Sequence, residues 1–192
     1  MEIVMATANQ NKAKEIQALI PENIKIMSLN DINCSEEISE TQPTIEGNAT
    51  QKAFYVYQNY HHNCFADDTG LEVQALQGRP GVFSARYAGE EKSAEKNMEK
   101  ILAEMEGMSN RNARFKTVIS LVIDGKEKQF EGVVNGVILF EKRGTKGFGY
   151  DPIFQPEGYN RSFAEMEMAE KSKISHRGIA VNKLVEYLKT LG

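Results

Sequence analysis

The sequence predicts an interwoven α/β or α+β fold, and three observations carry that prediction. Strand and helix signals intermingle from the first residue to the last, and no Pro/Ser-rich linker or internal repeat divides the chain. Its 192 residues suit one large domain or a compact two-lobed one. With 41% hydrophobic and 26% charged residues, the composition is that of an ordinary globular protein, which excludes wholesale disorder, collagen-like repeats and coiled coil.

The elements follow in order. The apolar run from Ile3 to Ala6 reads as a buried strand. Ala13 to Ile20, with Ile16, Leu19 and Ile20 on one face, reads as a helix that Pro21 ends. A second apolar run covers Ile24 to Leu29, and a polar loop from Asn30 to Gln42 carries Glu36, Glu37 and Glu40. The next helix is marked by Ile45, Ala49, Ala53, Val56, Tyr57 and Tyr60 at helical spacing after a Thr44 cap, with Asn48 and Lys52 one turn apart on its polar side. Cys64 to Ala66 reads as a short strand running into a turn at Asp67-Asp68-Thr69-Gly70, after which Leu71 to Val73 alternates like a strand edge. Lys92 to Met105 reads as a helix. Arg114 to Ile123 and Lys126 to Phe140 read as two β segments joined at Asp124-Gly125, a strong hairpin dipeptide. A last helix spans about Ser175 to Leu191, with Ala180, Leu184, Tyr187, Leu188 and Leu191 facing the core.

Charge and cysteine content narrow the function. Lys plus Arg is 23 against 27 for Asp plus Glu, a net charge of −4, the wrong sign for a general nucleic-acid coat. Any polyanion must therefore meet a local cluster of positive charge. Cys34 and Cys64 match neither a C-x-x-C redox pair nor a zinc pattern, so a reduced, cytosolic protein is expected. The N-terminus lacks a basic stretch before its short apolar run, and no window is apolar enough for a membrane span, so no secretory signal and no membrane partner are expected.

Four constellations have the chemistry of a site. Thr7 to Lys12 places a hydroxyl, amides, helix-start N–H groups and a lysine where a strand gives way to a helix, an arrangement suited to phosphate. It is no P-loop, and an Asn-rich helix cap accounts for the same residues. Asp67 and Asp68, with the distant Glu40, supply the one or two carboxylates that Mg²⁺ takes beside substrate phosphates, although Asp-Asp-Thr-Gly is also ordinary turn chemistry. Gly147 to Pro152 brackets Phe148 with glycines, so that the ring can stack on a flat base or pack in a core. Lys171 to Gly178 opens the final helix with cationic side chains that oppose its dipole, which suggests that they are aimed at a ligand.

With these clusters in order, the chain resembles the inosine/xanthosine triphosphate pyrophosphatase family. The shared motifs are A-T-A-N-Q-N-K at 6–12, E-T-x-x-T at 40–44, N-A-x-x-K-A at 48–53 and F-A-D-D-T-G-L-E-V at 65–73. They continue with G-x-P-G-V-F-S-A-R-Y-A-G at 78–89, G-F-G-Y-D-P-I-F at 147–154, F-A-E-M at 163–166 and E-K-x-K-I-S-H-R-G at 170–178. The resemblance covers essentially the whole length. It implies an α/β fold with an elongated mixed β-sheet flanked by helices, two lobes around a central substrate cleft, and residues 1–192 forming one pyrophosphatase domain, commonly a homodimer. The implied activity is hydrolysis of ITP, dITP and XTP to the monophosphate and pyrophosphate with Mg²⁺, which clears deaminated purines from the nucleotide pool. The implied sites follow the motifs. Thr7, Asn9 and Lys12 hold the triphosphate with Lys52 nearby. Glu40 and Asp68 serve the metal, and Asp68 is also the base for the attacking water. Thr69 stands where Ser is commoner and keeps the hydroxyl. Phe148 stacks on the purine, and Gly149, Tyr150, Asp151, Lys171, His176 and Arg177 complete the pocket.

A second departure is Gly47, where many relatives carry the Glu of a capping box; its loss puts a glycine in the helix's first turn. Two other readings stay open at this stage. One is a sensor that binds such a nucleotide without turnover; the other is a pyrophosphatase for modified pyrimidine nucleotides.

Overall fold

A computed structural model describes residues 1–191. Six strands pair in one sheet in the order β2-β1-β3-β4-β5-β6: β1 Glu2–Met5, β2 Lys25–Met27, β3 Cys64–Val73, β4 Asn112–Ile123, β5 Lys126–Ile138 and β6 Phe154–Pro156. Five α-helices accompany them: α1 Gln10–Gln17, α2 Ile45–Tyr60, α3 Ala94–Glu104, α4 Met168–Ile174 and α5 His176–Lys189. The fold is mixed α/β, since β1 runs parallel to both β2 and β3, whereas β6 is antiparallel to β5.

The chain divides into two compact units. The first takes Met1–Asp68, Thr117–Gly132 and Arg177 onward; the second takes Thr69–Lys116 and Val133–His176. In the first unit strand alternation sorts the core onto two faces. Ile3, Met5, Phe65, Ile119 and Leu121 pack with Ile16 of α1 and with Ala180, Val181, Leu184 and Leu188 of α5. Val4, Ala6, Cys64, Ala66 and Val122 pack with Ala53 and Val56 of α2. A helix layer therefore covers each face of this part of the sheet, as parallel strands require. In the second unit Leu71, Val73, Ala113 and Phe115 pack with Met98, Ile101 and Met105 of α3 and with Phe154 and Phe163. The alternate residues Glu72 and Arg114 form an ion pair instead.

Three expectations need correction. Asp67-Asp68-Thr69-Gly70 is not a turn, because Cys64–Val73 is one ten-residue strand. Turn-favouring residues stay in the ladder because buried cations and amides take up the two carboxylates, so tertiary contacts outweigh local preference. Helix α1 begins three residues before the expected start, because the Asn9 side chain caps it by accepting the N–H groups of Asn11 and Lys12 at 3.0 and 3.2 Å. Lys171 lies on its own short helix, α4; Ser175 is extended (φ −74°, ψ 154°) and separates it from α5, so only His176 and Arg177 open the final helix. The hairpin at Asp124-Gly125 forms as read, both residues having positive φ (49° and 76°), the geometry of a type I′ turn.

Candidate active site

In the first unit the site begins where β1 stops and β3 continues. Ala6 donates its N–H to Phe65 O at 2.8 Å; beyond it the chain leaves through Thr7 and Asn9 into α1, while β3 runs on to Asp67 and Asp68. This is the carboxyl end of β1, beside the first residues of the longer parallel strand β3, and the carboxyl ends of parallel strands are the usual place for ligands in such sheets. Thr7 Oγ1 accepts the Asn9 N–H at 3.2 Å, which shapes the entry to the capped helix. Thr7 is half-buried and Asn9 exposed, so both polar groups reach solvent at a helix N-terminus.

Consecutive strand residues face opposite sides, and the two aspartates divide accordingly. Asp67 follows Phe65 onto the α1/α5 face, where its Oδ2 lies 2.9 Å from Lys12 Nζ and 3.7 Å from Arg177 Nε. Arg177 is 2% exposed and also pairs with Glu15 of α1 at 2.5 Å. Burial alone would raise the Asp67 pKa, but Lys12, Arg177 and Lys52 outweigh it and hold the carboxyl well below the ordinary range. Asp67 is thus a fixed anion. Asp68 follows Ala66 onto the α2 face, where its Oδ2 accepts from Asn48 Nδ2 at 3.2 Å and its Oδ1 is 4.0 Å from Lys52 Nζ.

Lys52 ties this face together. Its ammonium donates to Glu40 Oε1 and, at 2.7 Å, to the Asp67 carbonyl. Burial opposes its charge, yet Asp68, Glu40 and Asp67 raise its pKa. Glu40 is likewise lowered against its burial by Lys52 and Lys12. The loop carrying Glu40 is fastened to α2 on both sides. Tyr55 and Tyr60 donate to Glu36 at 2.6 and 2.5 Å, Gln51 Oε1 accepts the Thr41 N–H at 3.0 Å, and Asn48 Oδ1 accepts the Gln42 N–H at 2.9 Å. Thr44 caps α2 by accepting the Gly47 N–H at 3.0 Å. A Cβ at Gly47 would stand 2.8 Å from Gln42 Cβ, so the missing side chain is the space into which Gln42 settles.

The second unit gathers the aromatic cluster. Asp151 Oδ2 accepts the Phe148 N–H at 2.8 Å and lies 2.6 Å from Lys171 Nζ; Asp151 and Lys171 are both buried. The same ammonium sits 5.1 Å from the centroid of the half-buried Phe148 ring. Gly147 (φ +71°) permits this, because a Cβ there would lie 2.1 Å from Asp151 Oδ2. Gly149 (φ +62°) has open space instead. Tyr150 is a core residue whose hydroxyl donates to Ser84 O at 2.6 Å, and burial raises its pKa. His176 is buried with its ring stacked on Phe115, centroids 4.5 Å apart. Thr69, half-buried, follows Asp68 on β3.

The structure thus groups the phosphate and metal candidates Lys12, Glu40, Lys52 and Asp68, and separately the base candidates Phe148, Asp151 and Lys171. Arg177, expected beside the base, is held by Glu15 and Asp67.

The Ham1 family profile matches residues 3–187. The chain belongs to the Ham1 family. It is 58% identical over 188 residues to the dITP/XTP pyrophosphatase of Christiangramia forsetii, covering 98% of this chain and 99% of that one. The corresponding protein of Flavobacterium psychrophilum is 56% identical over 189 residues, covering 98% and 100%. The Staphylococcus aureus Ham1 protein superposes with a TM-score of 0.92 at 38% identity over the full length of both chains. Family membership and the mixed α/β fold, both expected from the motifs, are therefore established.

Within this Ham1 chain the sequence reading missed Glu15 and the bridging role of Asn48. Glu15 had a signal: it lies three residues after Lys12 and next to Ile16, a charge inside the stripe that α1 buries. Asn48 gave none beyond its spacing from Lys52, because its two partners are set by how loop and strand meet.

Proposed function

We propose that this protein hydrolyses the non-standard purine nucleoside triphosphates ITP, dITP and XTP between the α and β phosphates, releasing the monophosphate and pyrophosphate. One observation carries the reading: in a chain 58% identical to a dITP/XTP pyrophosphatase, Glu40, Asp67 and Asp68 each lie within 4 Å of Lys12 or Lys52. Such a cluster exchanges partners readily with a polyanion, because each lysine can move from a carboxylate to a phosphate oxygen. Lys12 and Lys52 then offset phosphate charge, and Thr7, Asn9 and Thr69 add hydroxyl and amide contacts. Positioning and electrostatics of this kind supply most of the catalysis in phosphoryl transfer.

Glu40 and Asp68 fit Mg²⁺. They are hard oxygen donors that both approach the Lys52 ammonium, and Mg²⁺ is usually bound through one or two carboxylates together with substrate phosphates and water. When bound, Mg²⁺ neutralises phosphate charge and makes the phosphorus easier to attack. Asp68 accepts the proton of the attacking water as its oxygen bonds to phosphorus; the bond to the leaving oxygen breaks and pyrophosphate departs.

Phe148 stacks on the purine, with Lys171 and Asp151 fixing the segment that carries it, and Gly149 and Tyr150 shaping the backbone beside it. A 6-oxo group accepts a hydrogen bond from His176 or from a backbone N–H of this segment. The 6-amino group of adenine presents a donor to that donor, and an unpaired buried polar group gives strong discrimination. Arg177 acts from the phosphate side, through Asp67. The same reading makes residues 1–192 one enzyme domain, a cytoplasmic homodimer acting on free nucleotides, with neither nucleic acid nor membrane as partner. No helix of the described residues is long and apolar enough to cross a membrane.

The test is pyrophosphate release from ITP, XTP, dITP, ATP, GTP and dTTP, with Mg²⁺ or chelator, by wild type and Asp68→Asn. Metal-dependent release confined to ITP, XTP and dITP and lost in the variant is expected. Release from dTTP instead moves the protein to pyrimidine nucleotides, and binding of ITP without release makes it a sensor.

A further inference from the structure

We propose that Asn48 is a positioning residue that holds the Glu40 loop and Asp68 in one register. The proposal rests on the reading above, in which Glu40 and Asp68 act on the triphosphate. Asn48 lies in the first turns of α2 and is 1% exposed, so both ends of its amide require partners. Those partners fix its orientation. The Gln42 N–H can only donate, so the group facing it at 2.9 Å is the amide oxygen. The amide nitrogen is therefore the end that faces Asp68 Oδ2 at 3.2 Å, where the carboxylate accepts.

One planar group consequently spans the backbone two residues beyond Glu40 and the carboxylate assigned as base. With Oδ2 engaged by Asn48, the Asp68 carboxylate has a set rotation, and Oδ1 is the oxygen 4.0 Å from Lys52. Lys52 also bonds Glu40 itself. The loop and the base are thus linked twice, once through an ammonium and once through an amide.

Gly47 is the second observation. Gln42 comes within reach of Asn48 because residue 47 has no side chain; a Cβ there would meet Gln42 Cβ at 2.8 Å and Thr44 Oγ1 at 3.0 Å. Contacts under 3.0 Å force a shift, so a larger residue at 47 lifts Gln42 away from the amide. The glycine that removes the capping-box Glu is therefore part of how this chain seats its loop.

Two variants separate the roles. Asn48→Asp keeps an oxygen for the Gln42 N–H but replaces the donor to Asp68 with a carboxylate. Gly47→Ala leaves every bonding group in place and gains helix propensity while pushing on Gln42. Steady-state kinetics with dITP and Mg²⁺, together with hydrogen exchange at the Gln42 amide in the nucleotide-free protein, read both. For Asn48→Asp we expect kcat to fall at least tenfold, KM to stay within threefold and the Gln42 amide to remain protected. For Gly47→Ala we expect faster exchange at Gln42 and a kcat at least threefold lower, without a lower melting temperature. If Asn48→Asp does not fold, the Gly47→Ala exchange and kcat decide alone. Turnover within threefold of wild type in Asn48→Asp, or unchanged exchange in Gly47→Ala, overturns the proposal. Asp68→Asn assayed alongside keeps the two levels apart: if it retains turnover, the base assignment fails; if it is inactive, only the role of Asn48 is in question.

Discussion

Asp67 and Asp68, neighbours on β3, send their carboxylates to opposite faces of the strand: Asp67 to Lys12 and Arg177, Asp68 to Asn48 and Lys52. One residue step separates an anion that organises cations from the one proposed above as the base. A turn at this position would not impose that division, whereas the two-residue period of a strand does.

The division gives unlike consequences for like substitutions. Asp67→Asn removes the charge shared by Lys12 and the buried Arg177, and breaking a buried pair costs about 3–5 kcal/mol. Asp68→Asn retains the shape and a partner for Asn48, and Lys52 keeps Glu40 and the Asp67 carbonyl, so it should cost less stability than Asp67→Asn while dITP turnover falls by about 10²–10⁴, the usual contribution of a general base. Urea unfolding of both variants beside their turnover checks this. The division of roles is wrong if Asp68→Asn is the less stable of the two.

Phe148 is half-buried, with the Lys171 ammonium 5.1 Å from its ring centroid. Stacking of a base on an aromatic ring contributes about 1–3 kcal/mol. Phe148→Ala should therefore raise KM for dITP by about tenfold, with kcat changed far less. Phe148→Tyr should restore most of the loss. An unchanged KM in the alanine variant would remove Phe148 from base recognition.

What the sequence could disclose was set by how local each feature is. The Thr44 cap and the Asp124-Gly125 hairpin are decided within four residues and were legible. The family resemblance, not local pattern, put Lys12, Lys52 and Asp68 at one triphosphate site; in the structure Lys12 pairs with Asp67 and Lys52 lies 4.0 Å from Asp68. The strand through Asp67 to Gly70 was not legible, since its polar residues are accommodated by partners from α1, α2 and α5. Arg177 was expected with Lys171 from the E-K-x-K-I-S-H-R-G motif, whereas its pairing with Glu15, 162 residues away, had no local signal.

Acid should weaken the loop clamp in a definite window. Hydrogen bonds from Tyr55 and Tyr60 lower the Glu36 carboxyl to about 2. A depressed folded pKa contributes stability that is complete above the unfolded value of about 4.3 and is lost as pH falls toward 2. Asp67 and Glu40 act with the same sign. Lys52, raised in the folded state, contributes below about 10.4 and loses that contribution as pH rises through its folded value. The Tyr55→Phe/Tyr60→Phe variant should therefore be less stable than wild type at pH 7, with the gap closing between pH 4.5 and about 2. Urea midpoints at pH 7, 5, 4 and 3 read it, and a gap constant across that series would dissociate Glu36 from the clamp.

Gly147 and Gly149 make a matched pair for the base segment. Both have positive φ (71° and 62°), so alanine at either carries a backbone cost of about 1–2 kcal/mol. Only at Gly147 does a Cβ also meet a neighbour, at 2.1 Å from Asp151 Oδ2, the atom that binds both the Phe148 N–H and Lys171. Gly147→Ala should thus displace Asp151, release the Phe148 backbone and raise KM for dITP at least tenfold, whereas Gly149→Ala should lose comparable backbone stability with KM within about threefold. Turnover at saturating dITP should persist in both, because Asp68 keeps Asn48 and Lys52. Equal KM values for the two variants would mean that Asp151 does not set the position of Phe148.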